Sequence, residues 1–107
     1  ITSGGDNKRI RFYTNNGNTQ ISGNYIVNLG NWYHVVLSRN SSVGGRIYIN
    51  GAPQGNFVVP GNLAVNNAPL NIGGLGLTNN FPGSIDEVRI YNRSLSDKEV
   101  QHLYRYG

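Results

Sequence analysis

Five carboxylates and two histidines are the side chains of this 107-residue sequence best suited to moving protons or holding metals, and there is no cysteine. Thiolate-bound metal and disulfides are therefore excluded. His34 lies beside Trp32 and Val36, and His102 beside Leu103, with no second histidine at ligand spacing, so both read as packed side chains. Acid-base cleavage of a substrate needs two carboxylates converging on one bond. Asp86 and Glu87 are neighbours in sequence and would point to opposite faces of a strand, while Glu99 falls in a helical segment. No carboxylate pair is poised for catalysis, and the chain is expected not to be an enzyme.

Two other kinds of surface chemistry are present. Trp32, Tyr13, Tyr25, Tyr33 and Tyr48 offer flat apolar faces that could stack on sugar rings, or could equally fill a core. Asn15, Asn16, Asn66, Asn67, Asn79 and Asn80 could bond sugar hydroxyls from loops, but they are also ordinary turn formers. Asn40-Ser41-Ser42 and Asn92-Arg93-Ser94 fit the N-glycosylation acceptor pattern, making Asn40 and Asn92 the glycosylation candidates.

The elements that must position these groups are short and β-rich. Lys8 to Tyr13 alternates polar and apolar residues, the period of a half-buried strand, and Asn15-Asn16-Gly17-Asn18 supplies a turn. Asn24 to Asn28 offers a further short β segment. Trp32 to Arg39 is apolar on both faces, which predicts a strand in the middle of a sheet covered on both sides. Arg46 to Ile49 runs into Asn50-Gly51, a type I′ hairpin signal, with a slightly longer loop expected around Pro53 and the return strand near Phe57-Val58-Val59. Pro69 to Gly74 predicts a short strand and Ser84 to Tyr91 a convincing late one. Ser96-Asp97-Lys98-Glu99 is a capping box opening a short helix with Val100, Leu103 and Tyr104 on one face.

Many short strands and one terminal helix argue for an antiparallel sandwich or jelly roll rather than alternating β and α units. One module over residues 1–107 fits the length. Only 13% of residues are charged, and the basic ones are scattered from Arg9 to Arg105, so the net charge of +4 reads as a mildly basic surface and not as a nucleic-acid footprint. No apolar run could cross a bilayer. The chain opens at Ile1 and contains no Met, so it is expected to be a processed product or part of something longer.

Four ordered blocks then stand out: Asn31-Trp32-Tyr33-His34-Val35-Val36, Arg46-Ile47-Tyr48-Ile49-Asn50-Gly51, Leu70-Asn71-Ile72-Gly73, and the run from Phe81 through Ser96. Together they resemble the laminin G-like, concanavalin A-like family in wording and order. The resemblance implies an all-β antiparallel sandwich with a short C-terminal helix, here lacking the first strands that usually precede these blocks. It implies that Trp32 is a core residue. It implies that Asp86 is a candidate ligand of a structural Ca²⁺, with no other cofactor expected. Glycoside hydrolases of this fold carry Glu-x-Asp-x-x-Glu along one strand, a run this sequence does not have.

The family's usual roles imply an extracellular or cell-surface adhesion module that recognises a glycan or protein through loops. The competing expectation is a structural repeat subunit of a surface fibre or filament, open to glycosylation at Asn40 and Asn92. There a strand donated by a neighbouring copy fills the vacant place beside Ser84 to Tyr91.

Overall fold

The computed structural model describes residues 10–14, 19–22, 27–40, 42, 44–57, 69–74 and 81–107. Its elements are β1 (Arg11–Thr14), β2 (Thr19–Ser22), β3 (Val35–Asn40), β4 (Gly44–Ile49), β5 (Ala52–Phe57) and α1 (Asp97–Tyr106). β1 and β2 form one antiparallel hairpin, and β3-β4-β5 form a second antiparallel sheet with β4 in the centre. Mostly strands with one short terminal helix is the expected class.

The register explains where the core sits. Val35 lies opposite Ile49 and Leu37 opposite Ile47, so these four side chains share one face of the sheet. Ile47 and Ile49 are buried there, and Ile10, Phe12 and Tyr33 pack against them. The other face carries Val36 opposite Tyr48 and Ser38 opposite Arg46, and it receives the helix. Covering both faces fits the two-sided apolar pattern read for Trp32 to Arg39. Among the described residues that strand, β3, pairs with β4 alone, and β4 takes the middle of the three.

The β4-β5 hairpin shows how local chemistry sets register. Asn50 and Gly51 both have positive φ, 51° and 79°, the backbone that a two-residue type I′ turn requires. The Asn50 side chain then accepts from the His34 amide at 2.9 Å, while its own amide donates to the His34 carbonyl at 2.8 Å, tying the turn to the start of β3. The loop is tighter than the sequence suggests: Pro53 lies within β5, opposite Tyr48, and the extra residue is absorbed as a bulge between Arg46 and Tyr48. Val58 and Val59 lie outside the described residues.

α1 begins as read. Ser96 caps it, its hydroxyl accepting from the Glu99 amide, while the Glu99 carboxylate accepts from the Ser96 amide, each at 3.2 Å. Val100 is fully buried. Three long-range contacts fasten this end of the chain to the sheet. The Ser38 hydroxyl donates to the Leu95 carbonyl at 2.9 Å and accepts from its amide at 2.8 Å. Arg46 forks onto Asp97, both oxygens at 3.0 Å, and the Tyr48 hydroxyl donates to the same carboxylate. The Tyr48 hydrogen bond and the Arg46 charge hold Asp97 below its ordinary range. Within the C-terminal segment, Arg93 pairs with Glu99 at 2.5 Å.

Two expected strands are not strands here. Pro69 to Gly74 and Ser84 to Tyr91 have no ladder partner among the described residues, and Glu87 sits at a left-handed φ of 54°, which interrupts an extended run. Alternation in sequence is necessary for a half-buried strand, but a strand also needs a neighbour. Residues 24–26 lie outside the described residues, and Val27 and Asn28 are not in a strand.

Arg93 and the cap lower Glu99 from its ordinary 4.5 to about 2. A depressed carboxylate contributes stability fully above its unfolded value and loses it as pH falls through its folded value, so this contribution disappears between pH 4.5 and about 2. The urea midpoint should fall across that interval. Glu99→Gln should be the less stable protein at neutral pH and should close on the wild type toward pH 2; a gap that stays constant would contradict the assignment.

Candidate functional site

The most unusual surface is the segment Ser84–Tyr91. Ile85, Val88, Ile90 and Tyr91 are all exposed, Ile90 to 73%. Four large apolar side chains within eight residues form a patch that soluble surfaces seldom leave bare without a use. Among the described residues, no main-chain group of this segment is hydrogen-bonded to another main-chain group. The Ile85 side chain reaches over Gly73, next in the chain to the exposed Ile72: a Cβ at Gly73 would stand 3.1 Å from Ile85 Cδ1.

Charged side chains shape this edge. Asp86 Oδ1 accepts from the adjacent Glu87 amide at 2.8 Å, beside the left-handed φ of Glu87. Arg89 reaches Glu87 at 3.4 Å and donates to the Gly107 main-chain oxygen at 2.6 Å. The segment is thus pinned at Arg89 to the end of α1 and at Leu95 to Ser38, with its apolar side chains left outward.

Asp86 is exposed and spends one oxygen on the next amide. Among the described residues no three His, Cys, Asp or Glu side chains come together to hold a metal ion. A calcium ion at Asp86 would draw its further ligands from main-chain carbonyls. The other described carboxylates are each ion-paired: Glu87 with Arg89, Asp97 with Arg46 and Glu99 with Arg93.

Trp32 is 71% exposed, so it does not fill the core as the resemblance implied. It follows the turn at Leu29-Gly30, where Gly30 has a φ of 82° and Leu29 is 97% exposed. The adjacent Tyr33 takes the inward place, packing against the Ile47 and Ile49 cluster with its hydroxyl accepting from the Asn28 amide at 2.9 Å. Tyr48 is buried. The Tyr13 side chain and Tyr25 lie outside what is described, as do Asn15, Asn16, Asn66, Asn67, Asn79 and Asn80.

The histidines are placed by rings. His34 lies 5.9 Å from Tyr104, and burial, with the Arg89 charge second, lowers its pKa. His102 lies 5.1 Å from Tyr106 on the exposed side of α1. Asn40 ends β3, is exposed and accepts from the Ser42 amide at 3.0 Å. Asn92 is exposed in a bend after the late segment.

A groove of about 350 Å³ runs between the β3-β4 sheet and the entry to α1, lined by Ser38, Asn40, Arg46, Tyr48 and Asp97 among others. Those polar groups are largely consumed in fastening the helix. Sequence reasoning missed this network. Its signals were an outward-facing Arg46 and Tyr48 on a strand and an acidic first helical turn, but nothing in the sequence paired them. Among the described residues no helix is long and apolar enough to cross a membrane.

The chain is similar to the crystal structure of an S-layer domain-containing protein (residues 221–444) from Clostridium thermocellum ATCC 27405, with 25% identity and a TM-score of 0.60. The likeness covers 84% of this chain and 46% of that one, so the chain spans just under half of that neighbour. No curated protein matches. Residues 1–101 match the concanavalin A-like lectin/glucanases superfamily in its laminin G form. With nearly the whole sequence matched, and strands followed by one short helix consistent with that fold, the chain belongs to the concanavalin A-like lectin/glucanases superfamily as a laminin G-like domain.

Proposed function

We propose that this chain is a non-catalytic module of a cell-surface or extracellular assembly, joined to neighbouring copies by β pairing along Ser84–Tyr91, with the concanavalin A-like jelly roll as its scaffold. The observation that carries this reading is the exposed apolar run Ile85, Val88, Ile90 and Tyr91, which has no ladder partner among the described residues. Open β edges recruit strands, and proteins normally cover or charge them. The likeness to an S-layer domain-containing protein supports a place at the cell surface. Glycans at Asn40 and Asn92, both exposed, would project from the module. The chain should self-associate as its concentration rises, and Val88→Lys, which places a charge in the middle of the exposed run, should abolish that association while leaving the helical circular dichroism signal unchanged. Association that survives Val88→Lys, or is absent from the wild type, would overturn the reading.

Glycan recognition is favoured by one separate observation, the bared indole of Trp32 beside exposed Asn28 and Asn31. The sequence holds a single tryptophan, so its fluorescence reports this site alone. Titration with soluble oligosaccharides should shift and quench the emission; an unchanged spectrum across neutral and acidic sugars would dismiss this reading.

A further inference from the structure

We infer that the strand which pairs with Ser84–Tyr91 is the same segment of a second copy, running antiparallel about a twofold axis through Val88. This inference rests on the assembly reading above and goes further by fixing partner, register and symmetry. In a twofold antiparallel pair one residue must face its own copy, because the axis passes through a residue pair and both copies present the same edge. The sequence Ser-Ile-Asp-Glu-Val-Arg-Ile-Tyr leaves few choices. An axis at Asp86, Glu87 or Arg89 sets two like charges face to face, which disfavours each of those registers.

An axis at Val88 does the reverse. Val88 then meets Val88 of the second copy, Glu87 meets Arg89, and Ile85 meets Tyr91, each of the last two contacts occurring twice by symmetry. Residues 85, 87, 89 and 91 share one face of a strand, so that face is complementary along its whole length. Ser84 meets Asn92, a polar pair. Asp86 meets Ile90, the single mismatch.

Among the described residues the components of this joint have no ladder partner. Arg89 and Glu87 lie 3.4 Å apart within one chain and are both exposed, an ion pair ready to be exchanged for its intermolecular equivalent. Glu87 occupies a left-handed backbone that an L residue holds at a cost, and pairing would return it to the extended region. The Ile85 side chain also reaches over Gly73, next in the chain to the exposed Ile72. An interface built on one strand pair is small, so the dimer is weak and closed.

Sedimentation equilibrium from about 1 µM to about 1 mM protein spans the affinities expected of such an interface. The wild type should fit a monomer–dimer equilibrium with no larger species. Glu87→Arg and Arg89→Glu should each weaken dimerisation roughly tenfold or more, because each sets like charges opposite, and the double variant Glu87→Arg/Arg89→Glu should recover most of the loss. Because the double variant also restores the intrachain pair, the helical circular dichroism of each single variant should match the wild type, which separates loss of the dimer from loss of the fold. Open-ended polymers, or a double variant no better than the singles, would overturn the twofold register while leaving the assembly reading in place. A monomer at every concentration would overturn both, and amides of residues 84–91 protected in that monomer would assign the edge to a strand of the same chain.

Discussion

The fastening of the C-terminal segment to the β3-β4 sheet is the constraint on which the remainder depends. Ser38 is buried, and its hydroxyl satisfies both main-chain groups of Leu95. Removing it would leave buried polar groups unpaired, a loss of about 1–3 kcal/mol. Asp97, held by Arg46 and Tyr48, sits in the first turn of α1, where a negative charge also complements the helix dipole. A ten-residue helix is marginal alone. It persists because Val100 is buried and because its first turn is tied to the strands, and that tie sets where Ser84–Tyr91 must run.

Local features were legible in the sequence and long-range ones were not. Asn50-Gly51 requires positive φ and a type I′ turn wherever it stands, and Ser96 through Glu99 satisfies its own helix terminus, so both were readable without a fold. The tie of Arg46 to Asp97 and of Ser38 to Leu95 joins residues 51 and 57 positions apart, a separation that alternation and capping rules do not address. β5 hid behind Pro53 and β2 behind a polar run, because strand pairing overrides weak propensity. Trp32 was misplaced for a related reason: family wording located it in the core, but Tyr33 takes the inward position one residue later.

The late segment shows the same limit from the other side. Its alternation reads as a strand, and its side chains are those of a strand half-buried in a sheet, yet its main chain has no ladder among the described residues. In the proposed assembly that ladder comes from a second copy. Asp86 belongs to the same segment. Its Oδ1 accepts from the Glu87 amide beside the left-handed φ of Glu87, a contact that alternation in sequence does not announce.

The account therefore turns on whether the Ser84–Tyr91 main chain becomes hydrogen-bonded when a partner is present. Residue-resolved amide hydrogen exchange over this segment, followed as the protein concentration is raised, measures that directly. The account predicts that alternate amides between Ile85 and Tyr91 slow with concentration while those of α1 do not change. Exchange that remains fast in this segment at every concentration would contradict it.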